Sequence, residues 1–584
     1  MSYNILAVNP GHNGSICFLK DGKLDVYIEE ERLTRAKYDG NPLRAIQHII
    51  NKDHVDLLVL GGTSGQMYPQ MTWSGEDPFS ALVRKFNPKI KIVAYFDYHH
   101  LGHAASAFYN SGFDSAAAIV VDGSGSYLKI EDVENTDGVT NSLEGFETET
   151  IFKFCSPASF EVHYQSIGQS VGGNYILNEG RTRVTGTAHI TKAYEAVTDY
   201  CGFPFIEAGK LMGLASYGGP NENIPELFYG ENSNRNVFVP MYPAGAKINV
   251  DAYPQLITEH MKETGARRND LKQVAKSEKD LKLLQDFAWK IQQDTQKLVG
   301  DLIEKAIDLT GETNIVLAGG YGLNCVANYY YKKRFPNINF FVDPVSHDGG
   351  TSIGLAKFAW HQYCVENDIE FENEPLKTLY LGIDRNDEIN LENCEGFTIT
   401  NVTVDDVAKL ISEQNIVSLF NGAAEAGPRA LGNRSILFDP RAVDGKDIVN
   451  KVKGREWFRP FAGSMLKEYA NEWFDMAGLE ESPFMMYAVD VLPHQKDKVP
   501  CITHVDGTCR IQTVTQEQNK YYYDLISSFH KLTGVPILFN TSFNLAGEPL
   551  VETFEDALRT LKNSKLEYLY VPSKGILLQK NKEE

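Results

Sequence analysis

The segment HHLGH places two histidines, His99 and His103, four residues apart. On a helix, residues at this spacing project from one face about one turn apart, so both imidazoles could bind one metal ion. Two carboxylates, Asp122 and Asp348, follow apolar stretches, and the carboxyl ends of strands are where α/β sheets bind ligands. Two histidines with two aspartates favour iron, manganese or zinc. The alternative interpretation is a helix-capping histidine cluster with two turn aspartates.

Three glycine-rich turns follow apolar stretches, at residues 11–14, 122–125 and 319–322. Backbone N–H groups in such turns can approach phosphate oxygens closely, so three of them together favour a nucleotide cleft, although each alone is more typical of a plain turn. Neither a Walker A nor a GxGxxG pattern occurs. His12 lies in the first turn and is a candidate general base, because imidazole titrates near neutrality; a turn histidine bonded to backbone is the alternative.

Residues 429–459 carry an excess of four positive charges, whereas the whole chain has a formal net charge of −21. Arginine suits bidentate recognition of phosphate or carboxylate. Since these bases lie beside the turn GPRALGN and the aromatic segment EWFRPF, we predict an anion pocket in preference to a solvated basic face. The strand GVPILFN runs into Thr541, Ser542 and Asn544, which could add neutral donors. The bases are Arg429, Arg434, Arg441, Lys446, Lys451, Lys453, Arg455 and Arg459.

Composition excludes several classes of protein. The 584 residues predict about two to four domains, and 42% hydrophobic with 23% charged residues is typical of globular proteins. The negative charge opposes a dedicated nucleic-acid coat. No apolar run approaches the ~20 residues of a membrane span, and the first residues show no secretory signal. Eight scattered cysteines without a CxxC pair argue against a disulfide scaffold or zinc ribbon and favour a reducing cytoplasm.

The elements that must position these residues alternate between strands and helices, which predicts an α/β fold. We expect a hairpin at Asp21-Gly22, a helix over 42–51, strands at VDLLVLGG, KIVAYF and AAAIVVDG, and a long amphipathic helix from about 271 to 309. Residues 130–187 are rich in Ser, Thr, Gly and Asn, a composition that predicts an insertion or lid of loops and small strands.

We predict two domains of unequal size. The first spans residues 1–370 and includes the insertion, and TSIGLAKFAWHQYCVEN is its last helix. Residues 371–395 are acidic with little periodicity, which suits a linker. The second domain spans 396–584, with a helix at VDDVAKLISEQ and strands at NIVSLFNG and GVPILFN.

Motifs along nearly the whole chain resemble O-carbamoyltransferases of the NodU/CmcH type. Those of the first domain are PGHNGS, HHLGHAASAFYNSGF, VVDGSGS, GKLMGLASYG, LAGGYGLNCVAN and HDGGTSIG. Those of the second are GPRALGNRSIL, REWFRPFA, THVDGTCRIQTV and PILFNTSFNLAGEPLVETFEDAL. The matches occur in family order, so together they are highly specific.

The resemblance implies a fold and a reaction. The first domain would have the actin-like ATPase superfold of the enzymes that make threonylcarbamoyladenosine, and the second would be YrdC-like. The second domain would convert carbamoyl phosphate and Mg-ATP to carbamoyl-adenylate, releasing phosphate and pyrophosphate. In the first domain, an acceptor hydroxyl would attack the carbonyl and release AMP.

The resemblance also assigns residues by position. It implies a metal site, commonly iron in this family, at His99, His103, Asp122 and Asp348, and it implies that His12 acts on the acceptor hydroxyl. Segments resembling those around the adenylate contain Lys210, Gly213, Gly319, Gly320 and Asn324. Positions resembling those that grip carbamoyl phosphate and ATP are Arg429, Lys453, Arg459, Arg510, Asn540 and Ser542.

Several alternatives stay open. The acceptor could be a sugar, a macrolactone, a nodulation oligosaccharide or a hydroxymethylated pyrimidine, free or in DNA; nucleic acid enters only as acceptor, and no membrane is involved. Transfer to nitrogen or sulfur, as in hydrogenase-maturation relatives, lacks their acylphosphatase and zinc-finger segments here. A nucleotide-binding regulatory protein of the same superfold is the non-enzymatic alternative. The oligomeric state, a homodimer included, is not fixed.

Overall fold

The computed structural model of the chain describes residues 3–62, 76–134, 140–170, 172–228, 237–266, 268–269, 277–371 and 373–581, apart from the side chains of 131–134, 140, 141 and 393. The chain forms two compact units, and each is built from separate stretches of sequence. The first contains residues 1–11, 20–22 and 52–375, and the second contains residues 12–19, 23–51 and 376–584. The domain limits predicted from sequence stay a prediction.

The elements up to residue 200 are β1 (Asn4–Asn9), β2 (Ser15–Lys20), β3 (Lys23–Glu29), α1 (Glu30–Thr34), α2 (Leu43–Ile50), β4 (Leu57–Leu60), α3 (Pro78–Arg84), β5 (Lys91–Ala94), α4 (His99–Ser111), β6 (Ser115–Val121), β7 (Tyr127–Glu134), β8 (Thr140–Cys155), β9 (Ser159–Gly168), β10 (Asn174–Leu177), β11 (Thr182–Thr185) and α5 (Ile190–Tyr200). The elements from there to residue 366 are α6 (Ala208–Ala215), β12 (Phe238–Pro240), β13 (Ala246–Ile248), α7 (Glu259–Thr264), α8 (Glu278–Thr310), β14 (Asn314–Ala318), α9 (Cys325–Arg334), β15 (Asn339–Val342) and α10 (Thr351–Glu366).

Two mixed sheets organise these elements. The first has the strand order β3-β2-β1-β4-β5, and the second has the order β10-β11-β9-β8-β6-β14-β15, with β7 paired to β8. In the second sheet β6 pairs in parallel with β14, with Val120 opposite Ala318, and antiparallel with β8. Parallel strands end at the same edge of a sheet, so the residues after β6 and β14 meet there.

Helix α4, which carries the histidine pair, packs between β6 and α10. Leu101 and Phe108 share a buried cluster with Ala118 of β6 and Phe358 of α10. The two helices approach closely at Gly354, since a Cβ there would press against the backbone of α4 at Ser106, 2.5 Å away. This packing fixes the orientation of α4.

The region 130–187 differs from its prediction. It is dominated by β8, a strand of 16 residues, and β9, a strand of 10 residues, both of which belong to the second sheet. The segment was predicted as loops because its composition is polar. The structure shows that β8 buries polar residues, Glu147 through Thr150, at positions where a strand usually buries apolar ones. Strand recognition relies on apolar alternation, and buried polar residues remove that signal.

Elsewhere the predicted elements are confirmed. The β2–β3 hairpin turns at Asp21-Gly22, and α2, α8 and α10 lie where periodicity places them. The first residues predicted for α8 fall at 271–276, outside the described part of the chain. Among the described residues, no helix is both long and apolar enough to cross a membrane.

The second unit is built on a ten-stranded sheet in the order β16-β25-β24-β17-β18-β23-β19-β22-β21-β20. Its elements after residue 376 are β16 (Phe397–Asn401), α11 (Val404–Ser412), β17 (Val417–Phe420), β18 (Arg434–Phe438), α12 (Gly445–Lys453), β19 (Ala462–Leu466), α13 (Ala470–Trp473), β20 (Phe474–Asp475), β21 (Ala488–Val491), β22 (Thr508–Val514), α14 (Lys520–Thr533), β23 (Ile537–Ser542), α15 (Phe554–Lys562), β24 (Tyr568–Val571) and β25 (Ile576–Lys580).

Besides residues 12–19, two segments outside this run of elements belong to the second unit. Within the stretch predicted as a linker, Leu379, Leu381 and Ile383 are buried, and the Leu381 carbonyl accepts from the Tyr27 N–H. The second segment is residues 23–51, where Arg35 donates to the carbonyls of Pro549, 3.0 Å away, and Leu550.

Candidate functional site

Four side chains of the first unit converge on one point. One ligand atom from each of His99, His103, Asp122 and Asp348 lies within 4.8 Å of the others, and all four residues are buried. The Nε2 atoms of the two histidines are 3.1 Å apart. Carboxylate oxygens of Asp122 and Asp348 lie 3.6 and 3.7 Å from Nε2 of His99. These are the four residues that the sequence predicted as metal ligands.

Three of the four ligands lie at or beside the end of an element, and His103 lies one turn into α4. The His99 N–H at the start of α4 donates to Ser126 Oγ over 3.0 Å. Asp122 leaves β6, where its carboxylate accepts the Gly320 N–H at 3.1 Å. Asp348 begins the turn before α10, and its carbonyl accepts from Thr351 Oγ1 at 2.6 Å.

The electrostatics of the cluster suit a cation. Burial alone would raise the pKa of Asp122, but the hydrogen bond from His99 and the electrostatic interaction with the neighbouring histidines outweigh it, so the pKa lies well below its usual range. Two imidazole nitrogens and two carboxylates aimed at one buried point are a donor set that binds a divalent metal. The His/Asp cluster could therefore hold a metal ion.

The glycine turn after β14 is built against this cluster. Gly319 has φ +84°, a conformation that favours glycine, and a Cβ there would collide with the backbone of Val121. Gly320 donates to Asp122, as described. Asn324 caps α9 by accepting the Ala327 N–H at 3.1 Å, and its side-chain amide donates to Gln292 at 3.0 Å.

Three further residues were predicted for the transfer reaction, namely Lys210, Gly213 and His12. Lys210, in α6, pairs with Glu207 at 2.7 Å, and Gly213 is buried in the same helix. His12 lies in an exposed turn, where its Nδ1 contacts Asn13 Oδ1 at 3.0 Å. The functions of these residues stay predictions.

Sequence reasoning missed a buried polar group beside the His/Asp cluster. Glu147 accepts the Ser126 N–H at 3.1 Å, and burial raises its pKa to about 7. Glu149 pairs with Nδ1 of His189 at 2.8 Å. The run ETET at 147–150 was the available signal, because acidic residues alternating with threonine inside a strand are unusual.

A second cluster lies on the ten-stranded sheet. Arg510 of β22 stands opposite Ala462 of β19, which stands opposite Asn540 of β23. Residues in register on neighbouring strands share a face, so Arg510 and Asn540 flank the small alanine side chain. Asn540 donates to Ser464 Oγ at 2.9 Å and to the Ala430 carbonyl at 3.2 Å.

Three more cations lie around this row. Lys453 is 3% exposed and donates to Ser542 and, at 3.1 Å, to Asn544 Oδ1. Arg455 donates to Thr541 Oγ1 at 3.2 Å. Burial, with the charges of Arg455 and Arg459, holds the pKa of Lys453 well below its usual value.

The pKa of Arg455 is lowered for the same reasons as that of Lys453. Burial and the charges of Arg459 and Arg510 lower its pKa well below the usual range. Like charges that depress one another, with neutral donors between them, form a site for an anion. We call Lys453, Arg455, Arg459 and Arg510 the cation cluster.

Not all bases of residues 429–459 contribute to it. Arg434 is fully buried, and its guanidinium donates to the carbonyls of Asn421, Gly422, Asn433 and Glu552. Arg441 forms a bidentate pair with Asp439, with distances of 2.6 to 3.1 Å. The excess charge therefore overstated the number of bases at the anion site, because a local count does not show which carbonyl or carboxylate each base contacts in the fold.

The fold and the two clusters define a two-domain α/β protein with a candidate metal centre and a candidate anion site. Two family models match the chain, "Carbamoyltransferase N-terminus" over residues 64–357 and "Carbamoyltransferase C-terminus" over residues 408–579. The chain belongs to the carbamoyltransferase family. The predicted family, transferase class and two-domain α/β fold are confirmed.

Relatives match over most of their length. "Nodulation protein NolNO" of Sinorhizobium fredii is 30% identical, with 96% of this chain and 78% of the relative covered. "Nodulation protein NolO" of Bradyrhizobium diazoefficiens is 31% identical, with 81% and 77% covered. "Nodulation protein U" of Rhizobium tropici is 26% identical, with 99% and 96% covered.

Proposed function

We propose that the protein is an ATP-dependent O-carbamoyltransferase that acts in two steps. In the second domain, carbamoyl phosphate reacts with water to give carbamate and phosphate. The carbamate oxygen then attacks the α-phosphate of Mg-ATP, which forms carbamoyl-adenylate and releases pyrophosphate. In the first domain, an acceptor hydroxyl attacks the carbamoyl carbon, the bond to AMP breaks, and an O-carbamate forms.

The cation cluster is the observation that carries this proposal. Forming carbamoyl-adenylate brings several phosphate charges together, and they need fixed positive groups that water does not screen. Lys453 and Arg455, whose pKa values are lowered by burial and by neighbouring cations, gain most from an anion. A protein that only bound a nucleotide would not need this cluster in addition to a His/Asp cluster.

Within the second domain, we assign binding of carbamoyl phosphate and ATP to seven residues. This assignment is supported by the shared face of the sheet on which Arg510 and Asn540 lie and by the contact between Lys453 and Ser542. Asn540 links the row on the sheet to the loop that carries Arg429, through the Ala430 carbonyl. The residues are Arg429, Lys453, Arg455, Arg459, Arg510, Asn540 and Ser542.

In the first domain, His99, His103, Asp122 and Asp348 would hold the metal, and we propose iron, with manganese or zinc as alternatives. The metal would supply Lewis acidity toward a phosphate oxygen. We assign the adenylate to the segments of Lys210, Gly213, Gly319, Gly320 and Asn324, where backbone N–H groups of a glycine turn can bind phosphate.

His12 would accept the proton of the acceptor hydroxyl. Its exposed position in a turn suits contact with a substrate from solution. We propose a sugar or another small-molecule hydroxyl as acceptor, with a hydroxymethylated pyrimidine as the alternative. The eight cysteines, all free and seven of them buried, support the cytoplasm as the compartment.

The test is mass spectrometry of the protein incubated with ATP, Mg²⁺ and carbamoyl phosphate but no acceptor. We expect carbamoyl-adenylate and pyrophosphate from the wild type, and neither from Arg429→Ala. Arg441→Ala is the matched control, since that arginine belongs to the same unit but is paired with Asp439. Intact ATP with a folded wild-type protein would overturn the proposal and favour a nucleotide-binding regulatory protein.

A further inference from the structure

The loop that carries Arg429 is built around one buried carboxylate. Glu425 is 2% exposed, and its Oε1 accepts the N–H groups of Leu431, Asn433 and Arg434 at 2.7, 2.9 and 3.2 Å. Three backbone donors on one carboxylate oxygen fold residues 425–434 into a fixed loop.

The far side of this loop is fastened to the sheet. The Leu431 carbonyl accepts from Gln512 at 2.8 Å and from the Tyr380 hydroxyl at 2.7 Å. The Ala430 carbonyl accepts from Asn540 at 3.2 Å. These bonds fix the residues that follow Arg429.

The near side is held by a residue from the N-terminal part of the chain. Arg32 donates from Nη2 to the Gly427 carbonyl at 2.8 Å, across 395 positions of sequence. Its guanidinium is oriented by Glu29, whose Oε2 accepts from Nε at 3.1 Å and from Nη2 at 2.6 Å. Both Arg32 and Glu29 are buried.

We infer that Arg32 is a positioning residue for carbamoyl-adenylate formation, acting through the loop 427–430 on Arg429. Arg429 lies between two anchored carbonyls, Gly427 held by Arg32 and Ala430 held by Asn540. A guanidinium can serve Glu29 and the Gly427 carbonyl at once because its donors form a planar fork. A lysine ammonium at this position would keep the charge but lose that fork.

This inference rests on the proposed function and extends it to a residue that the second family model does not cover, since that model begins at residue 408. It adds Arg32, oriented by Glu29, to the residues that support activation. The remote contact matters for rate because a small displacement of a positioned group can cost a large factor in catalysis.

The experiment is a double-mutant cycle on the full-length protein, with ATP-dependent pyrophosphate release as the readout. We expect Arg32→Lys to lower kcat/KM about tenfold in the wild-type background. In an Arg429→Lys background the same substitution should change kcat/KM less than twofold, because the residue through which it acts is already altered.

Arg35→Lys is the matched control. Arg35 lies in the same segment and also donates to carbonyls of the second unit, but those carbonyls belong to Pro549 and Leu550. We expect it to leave kcat/KM within twofold. Thermal unfolding of each variant separates a folding defect from a displaced loop.

Three results would overturn the inference: no loss in Arg32→Lys, an equal loss in Arg35→Lys, or a tenfold loss that persists when Arg429 is lysine. A wild type that releases no pyrophosphate would instead overturn the proposed function. The two failures are therefore distinguishable.

Discussion

The His/Asp cluster and the cation cluster hold buried charge in opposite ways. The first combines imidazoles with carboxylates, so its members favour one another, and the pKa of Asp122 lies below its usual range. The second combines like charges with neutral donors, so the pKa values of Lys453 and Arg455 are depressed. The first is a set of ligand atoms around a point, whereas the second is an excess of positive charge that Glu456, 3.5 Å from Arg459, offsets only in part.

The difference teaches which substitution should affect which step. Removing a ligand from the His/Asp cluster takes away a donor that no neighbour can replace. Removing a cation from the other cluster leaves three more and relieves their repulsion, so the loss is partly compensated. We therefore expect large, all-or-none effects in the first unit and graded, pH-dependent effects in the second.

The largest expected effect is that of His103→Ala. Loss of an imidazole ligand should remove the bound metal and lower carbamoyl transfer by about 100-fold or more. Pyrophosphate release should be unchanged, since the cation cluster is intact. Metal analysis and product mass spectrometry measure both, and His163→Ala, a histidine of the same unit paired with Glu161, is the control. An equal loss of pyrophosphate release would contradict the assignment of the two clusters to different steps.

A smaller effect concerns pH. Because the pKa of Lys453 lies well below its ordinary value of 10.5, its charge is lost at a lower pH than that of a free lysine. Binding of inorganic pyrophosphate should therefore weaken as pH rises from 7.5 to 9.5, by at most about tenfold per unit, and should take up protons. Titration calorimetry in buffers of different ionisation enthalpy measures this.

Lys453→Met should bind pyrophosphate more weakly with a flatter pH dependence. Pyrophosphate itself ionises identically in the experiments with the wild type and with Lys453→Met. The difference between the two pH dependences therefore reports the ionisation of Lys453. Identical pH dependence in the two proteins would contradict the assignment of Lys453 to the anion site.

The smallest effect is expected for Ser126→Ala. This hydroxyl accepts the His99 N–H and so helps to orient the start of α4. Its loss should weaken metal binding about 3- to 10-fold, corresponding to about 0.7 to 1.4 kcal/mol. Competition with a chelator measures the affinity. Ser124→Ala is the control, because the Ser124 hydroxyl lies in the same turn but donates to the Gly123 carbonyl, and we expect no effect on metal affinity. An equal loss of affinity in Ser124→Ala would contradict the role of Ser126 in orienting His99.

The parts that sequence could predict are those set by local spacing. The interval of four between His99 and His103 and the strand end at Asp122 placed three of the candidate ligands. Asp348 was also expected at a strand end, but β15 ends at Val342 and Asp348 begins the turn before α10. Periodicity located α8 and α10 for the same reason. The long β8 was missed because its buried polar residues make it resemble a loop.

The parts that sequence could not predict depend on which partner each base contacts in the fold. Arg434 and Arg441 counted as anion-site bases until the structure showed carbonyls around the first and Asp439 against the second. Arg455 joins the cation cluster through Thr541, 86 positions away. Local charge counts cannot distinguish a satisfied guanidinium from one that needs a ligand.

The divided composition of the second unit has a consequence for synthesis on the ribosome. Residues 12–19 and 23–51 emerge before their partners, which begin at residue 376. At about 5–20 residues per second, the intervening 324 residues delay those partners by roughly 16 to 65 seconds. During that interval Arg32 and its neighbours lack the residues against which they are buried in the folded protein, so this segment must stay unaggregated until residues 376–584 are made.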